Sequence, residues 1–368
     1  MRTIGNRRYG RPVLTVPRGL AVILLVLFAT IPDGFGKSRS RRKHPAETPA
    51  AAQQAPAATQ APAATNEAPV NAAYAFVKGT GILRLQDGTV SAVLPTQATL
   101  RDLQIDSEGA LWASLRGTGV VRIASGQTAT LNQESFAKLA IRSPTDVWTI
   151  NDSHGSVVHY DGRRWKTVRT RNSLAGAFDD NRLVDIVSAG QAVWLSSWNG
   201  LWRVVGGRWT RVEPPAAAAT NDADPDPQAP PAFPLSLVAA RSGLVACYLA
   251  GCYLYAESGW QASHWPADKA HLQSAGAANL LAGIGADGRT VLTARMDGSG
   301  EASKSEPLPA TGINDIAIDT TGRVWVATGA ELIVLAAGGR IQQRWKADAG
   351  EIERVVISGA GPAQLPDK

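Results

Sequence analysis

The chain has little of what many functional classes require. Its 368 residues hold two cysteines, too few to staple a chain of this length as a disulfide mini-protein. Only one apolar run exceeds ten residues, which excludes a polytopic membrane protein. Its five histidines (His44, His154, His159, His264 and His271) form no HxH or HExxH pattern. Neither GxSxG, Walker A nor a dinucleotide fingerprint is present, and Gly-rich Asp297-Gly-Ser-Gly300 lacks the lysine and the strand-to-helix setting. Most of the chain also lacks an excess of base. The net charge of +6 divides into ten bases and one acid in residues 1–44, and 27 bases and 30 acids in residues 45–368. A body with net charge −3 has no surplus to neutralise phosphates, so nucleic-acid binding loses its main energetic source.

The basic segment reads as an address. Gly19 to Ile31 is 13 residues without a charge, short of the ~20 that span a bilayer but within the ~7–15 of a signal-peptide core. Five arginines precede it, Arg7-Arg8 among them. Gly34-Phe35-Gly36 puts small residues before a possible cut at Lys37. The cluster from Lys37 to Lys43 resists translocation, so an uncleaved anchor at 19–31 stays open beside a cleaved signal. Eleven of residues 45–70 are Ala and five are Pro, a composition with little to bury. The expected organisation is a signal or anchor at 1–36, a basic then Ala/Pro-rich disordered linker at 37–72, and a folded body at 73–362. The expected location is periplasmic or extracellular, with a membrane tether through the N-terminus possible.

The body repeats. Leu111-Trp-Ala-Ser-Leu-Arg-Gly-Thr-Gly-Val-Val-Arg-Ile123 matches Ala73-Tyr-Ala-Phe-Val-Lys-Gly-Thr-Gly-Ile-Leu-Arg-Leu85 position by position, aromatic on aromatic and base on base. Further copies begin at Val147-Trp148, Val193-Trp194 and Val324-Trp325. An alternating strand ending in a turn precedes each copy, as in Leu103-Gln-Ile-Asp-Ser-Glu-Gly109 and Ile316-Ala-Ile-Asp-Thr-Thr-Gly322. A Gly and a strand often carrying Trp follows, as in Gly162-Arg-Arg-Trp165 and Gly207-Arg-Trp209. The unit is four short strands with tight turns.

Taking Ala246 and Leu292 as the equivalents of the tryptophans, first strands fall near residues 100, 136, 183, 234, 279 and 313. Ile352 to Ser358 is one more first strand, and 73–94 supplies strands two to four. Joined, they close a seventh unit of about 42 residues, the length of a propeller blade. The fold class is therefore all-β, a seven-bladed β-propeller with N/C-terminal strand closure and a monomeric ring. The second-strand aromatics are expected to fill the space between blades.

Asp106-Ser-Glu-Gly-Ala-Leu-Trp112, Asn199-Gly-Leu-Trp-Arg203 and Asp319-Thr-Thr-Gly-Arg-Val-Trp325 resemble the repeats of two-component regulator sensor propellers. That resemblance implies non-catalytic ligand or partner binding in the periplasm or at the surface. This chain carries no kinase or DNA-binding domain of its own, so a separate protein would read any signal. Two alternatives stand beside it. One is a propeller lyase resembling virginiamycin B lyase, whose repeats are of a similar Gly-x-LW type. The other is a scaffold subunit of an envelope assembly.

Candidate site residues follow from the propeller. Turns between second and third strands share one face, and here they present Lys78, Arg116, Asp152, His154, Trp198 and Arg295. The longer inter-blade loops at 169–182, 213–233 and 266–278 join that face and add Arg171 and Arg182. An exposed Trp among arginines and aspartates suits recognition of a small molecule, a glycan or an envelope protein. No metal, cofactor or catalytic residue is expected, and no nucleic acid. His154 and His159 on one hairpin read as a turn histidine and a blade-surface histidine rather than a metal pair. Cys247 and Cys252 flank a turn; the spacing suits a disulfide or two buried thiols, and no metal.

Overall fold

The computed structural model describes residues 72–174, 182–219, 233–240, 243–248, 251–262, 271–275, 280–295, 302–308, 312–348 and 350–359. The leader, the candidate anchor at 19–31 and the Ala/Pro linker lie outside the described residues. Among the described residues no helix is long and apolar enough to cross a membrane.

Among the described residues, twenty-eight strands form seven four-stranded antiparallel sheets. Blade 1 joins Ile352–Ile357 to Ala73–Val77, Gly81–Gln86 and Thr89–Pro95. Blades 2, 3 and 4 run from Leu100 to Asn132, Phe136 to Thr170 and Leu183 to Val212. Blades 5, 6 and 7 run from Ser236 to Ala262, His271 to Lys304 and Ile313 to Lys346. The ring closes as expected: Ala73 pairs with Ile357, and the Ser358 amide donates to the Ala72 carbonyl at 2.9 Å.

One apolar cluster lies between each pair of neighbouring blades, seven among the described residues. A blade has two faces and cannot bury either alone; radial stacking buries both. The second-strand indoles fill these interfaces. Trp112 is fully buried, and Trp148, Trp194 and Trp325 are at most 9% exposed. The Gly-Thr-Gly turns have a steric cause. Gly117 takes φ +79° in the turn, and a Cβ at Gly119 would collide with the Asn132 carbonyl of the fourth strand. Gly81 meets the Leu94 carbonyl in the same way.

Blade 6 differs from the expected register. Its first strand is His271–Ala275, its second Leu280–Ile284 and its third Val291–Arg295, so Leu292 lies on the third strand. The cause is that blade 6 has no tryptophan to mark its second strand. Asp287 caps the turn before Val291 by accepting from the Arg289 and Thr290 amides and the Thr290 hydroxyl. In blades 2 and 7 an equivalent aspartate caps the turn one hairpin earlier.

Candidate functional site

The motif that carries the repeat proves to be a framework device. In blade 2, Asp106 Oδ1 accepts from the Glu108 and Ala110 amides and shapes the turn. Its other oxygen accepts from the Trp112 indole at 2.8 Å and the Arg122 guanidinium at 3.1 Å. Arg122 also lies over the indole, 5.8 Å from the ring centre. Blade 7 repeats the arrangement with Asp319, Trp325 and Arg323. Burial pulls the Asp319 carboxyl upward, but hydrogen bonds from Thr321, Trp325 and Arg323 outweigh it and hold the group below the usual carboxylate range. Blade 3 substitutes Asp146 and His159. The His159 ring stacks on Trp148 at 4.3 Å and its Nε2 donates to Asp146 at 2.9 Å. His159 is thus the blade-3 counterpart of Arg122.

Blade 4 keeps the aromatic and the cation without the acid. Arg203 pairs with Trp194 across the sheet and lies 5.6 Å over its ring. Ser188 and Ala192 occupy the offsets from the indole that hold aspartates in blades 2 and 7 and in blade 3.

A second set of charges lines the inner strands. A bulge in the first strand precedes Asp102, Lys138, Asp185 and Asp315. Each aspartate reaches the next blade: Asp102 accepts from the Leu139 amide at 2.7 Å, Asp185 from Leu237 at 2.9 Å and Asp315 from Val355 at 2.9 Å. Arg354 bridges Asp102 at 3.1 Å and Asp315 at 3.3 Å, and Lys138 lies 3.8 Å from Asp185. Enclosure raises the Asp185 carboxyl against the pull of Lys138, while the Asp315 and Asp102 carboxylates hold Arg354 firmly charged. These groups bind blade to blade. Their sequence signal is the triplicate Leu100-Arg-Asp-Leu103, Leu183-Val-Asp-Ile186 and Ile313-Asn-Asp-Ile316, which strand alternation alone passes over.

The anticipated surface residues divide. Lys78, Arg116, Asp152, His154 and Trp198 lie at second-to-third-strand turns on one face, here the upper face, with Arg182 at the start of a first strand beside them. Lys78 reaches Glu353 at 3.6 Å, and Asp152 takes Arg101 at 3.6 Å and the Ser135 hydroxyl at 2.8 Å. His154 Nδ1 donates to the Leu183 carbonyl at 2.8 Å. The Trp198 amide donates to the Arg182 carbonyl, which sets the half-buried indole beside an exposed arginine. Arg295 departs from this group. The shift of register in blade 6 puts it at the far end of a third strand, toward the opposite face. The Arg171 side chain and loops 175–181, 220–232 and 263–270 lie outside the described residues.

Cys247 and Cys252 pair directly across the blade-5 hairpin and form a disulfide. Covalent pairing of the only two cysteines fits an exported protein.

Two grooves open between outer strands on either side of blade 4. One of about 600 Å³ lies toward blade 5, lined by Arg203, Arg208, Arg211, Glu213, Tyr255 and Trp260. The other, about 530 Å³, lies toward blade 3 and includes Arg142, Asp146, Trp148, His159, Arg169 and Trp209. In the second, Asp146 neutralises Arg142 at 2.8 Å and holds His159. In the first, none of the three arginines has an acidic partner among the described residues.

No family model matches the chain, and no curated protein matches it in sequence. Solved structures match its fold. Apo AztD from Citrobacter koseri shares 12% identity over 78% of this chain and 97% of its own, with a TM-score of 0.55. YCF48 from Cyanidioschyzon merolae shares 14% identity over 72% and 96%, with a TM-score of 0.51. The extracellular domain of a protein described as a hybrid two-component system from B. thetaiotaomicron shares 9% identity over 76% of this chain and 42% of its own, at 0.49. At such identities the likeness is one of fold, and the chain is a seven-bladed β-propeller.

Proposed function

We propose that the chain is an exported, non-catalytic propeller, similar to periplasmic sensor propellers, that binds a partner protein on its upper face. The observation that carries this reading is how the charges are divided. Carboxylates on the inner strands are committed to neighbouring blades and those beside Trp112 and Trp325 to their own blade, whereas Arg116 and Arg182 on the upper face have no carboxylate partner among the described residues, and Arg182 lies beside the half-buried Trp198. Arg and Trp at the centre of a patch are the residue types that dominate binding energy. The described histidines support a binding role over acid–base chemistry, since His154 and His159 each spend a ring nitrogen on the framework. Expression of the full chain in its own envelope should co-purify one partner. Trp198→Ala with Arg182→Glu should abolish that capture and leave the melting temperature unchanged. Capture that persists in the double variant overturns the reading.

A further inference from the structure

We infer that the groove between blades 4 and 5 is a binding site for an acidic glycan, a chain of sugar rings bearing carboxylates. The inference is independent of the upper-face proposal, because the groove is lined by third- and fourth-strand residues on the outer flank.

Three observations converge. First, among the described residues the groove is the place where the repeat leaves a cation without its acid. In blades 2 and 7 a buried carboxylate satisfies the guanidinium over the indole, at 3.1 and 2.7 Å. In blade 4 Arg203 occupies that position over Trp194, and Ser188 and Ala192 stand where the acid would be. A carboxylate delivered by a ligand would supply what Asp106 supplies in blade 2. Second, Arg208 on the adjoining fourth strand shares the face of Arg203 and adds a guanidinium that has no acidic partner among the described residues, against one carboxylate, Glu213. Elsewhere on the body, cations near the blade surfaces are commonly neutralised, as Arg344 and Lys346 are by Glu331. A guanidinium presents a planar fork matched to a carboxylate. Third, the wall opposite is aromatic and fixed. Trp260 donates its indole N–H to the Glu213 carbonyl at 2.7 Å, which locks the ring across the blade boundary, and Tyr255 packs edge-on to it at 5.0 Å. Half-exposed rings held rigidly suit stacking against the apolar face of a sugar.

An acidic peptide is the competing occupant, since the blade-4 fourth strand is an edge. All seven blades present such an edge, however, whereas among the described residues an acid-free Arg over a second-strand Trp, beside the clamped Trp260, belongs to this groove. That specificity favours the sugar.

The test uses the full chain and titration calorimetry with three probes: a galacturonate tetramer, a neutral glucose tetramer and a tetra-glutamate peptide. The expected result is binding of the uronate alone, weakened at least tenfold by Arg208→Glu. Ser188→Asp, which returns the missing acid to blade 4, should weaken it by a similar factor. Affinity should fall with added salt. The basic leader is common to all variants, so binding that both variants retain comes from elsewhere and overturns the proposal. So does equal affinity for the glutamate peptide, or no binding of the uronate by a chain whose melting temperature is normal.

Discussion

In blades 2 and 7 a guanidinium lies over the second-strand indole and a buried aspartate neutralises it; in blade 4 the guanidinium and the indole are present and the aspartate is not. One supersecondary unit is thereby put to two uses. With the acid, the Arg is a strut: Arg122 joins the turn between strands one and two of blade 2 to strand three, and Arg323 ties that turn of blade 7 to the indole. Without it, the Arg opens onto a groove beside Arg208, and neither has an acidic partner among the described residues. Propellers tolerate this because each blade is stabilised by its neighbours, so one repeat can give up a local bond while the ring stays closed.

The largest test of the framework half of this comparison is at the closure. Arg354→Met leaves Asp102 and Asp315 buried and facing each other without their common cation. The expected cost is about 3–5 kcal/mol, read from urea unfolding. The triple change with Asp102→Leu and Asp315→Leu should recover much of it. A single variant as stable as the parent would show that the inner charges do not hold the ring.

Next in size is the blade-7 box. Asp319→Ala should cost about 2–3 kcal/mol, because Arg323, the Trp325 indole and the turn amides all lose their acceptor. Its pH dependence has a defined sign. The folded carboxyl sits below its ordinary value, so its contribution is complete above the unfolded value of about 4 and disappears as pH falls through the folded one. The acid limb of the parent's stability curve should be steeper than that of Asp319→Ala; parallel limbs would refute the assignment.

Blade 5 supplies a smaller contrast, since its second strand carries Ala246 in place of Trp and a disulfide sits at the end of its hairpin. With the cysteines five positions apart, reduction should cost about 2 kcal/mol on the loop-entropy account. Hydrogen exchange should accelerate first in blades 5 and 6, whose shared cluster contains both sulfurs. Uniform acceleration around the ring would contradict that localisation.

Much of this architecture was legible in the sequence because repetition is a signal that survives without homologues. The Gly-Thr-Gly pairs, the Trp spacing and the split blade at the termini fixed seven units and their closure. Blade 6 departs because it has no tryptophan to mark its second strand: Leu292, at the expected spacing, lies on the third strand, and Arg295 changes faces with that shift. The groove at blade 4 was harder to see. Its signal is a missing residue, Ser188 where the repeat has Asp, and an absence acquires meaning only once the structure shows Arg203 above Trp194. Arg208 alternates with Trp209 on a short strand, where an ordinary solvated position reads identically.

The comparison is tested most directly by placing one substitution in the two equivalent positions, Arg122→Gln in blade 2 and Arg203→Gln in blade 4, and measuring urea unfolding of both. The account predicts that Arg122→Gln costs about 2–3 kcal/mol, since it strands a buried aspartate, and that Arg203→Gln costs under about 1 kcal/mol, the worth of an exposed cation–π contact. Equal losses at the two sites would contradict it, because Arg203 would then be a strut like its counterpart and not a group held ready for a ligand.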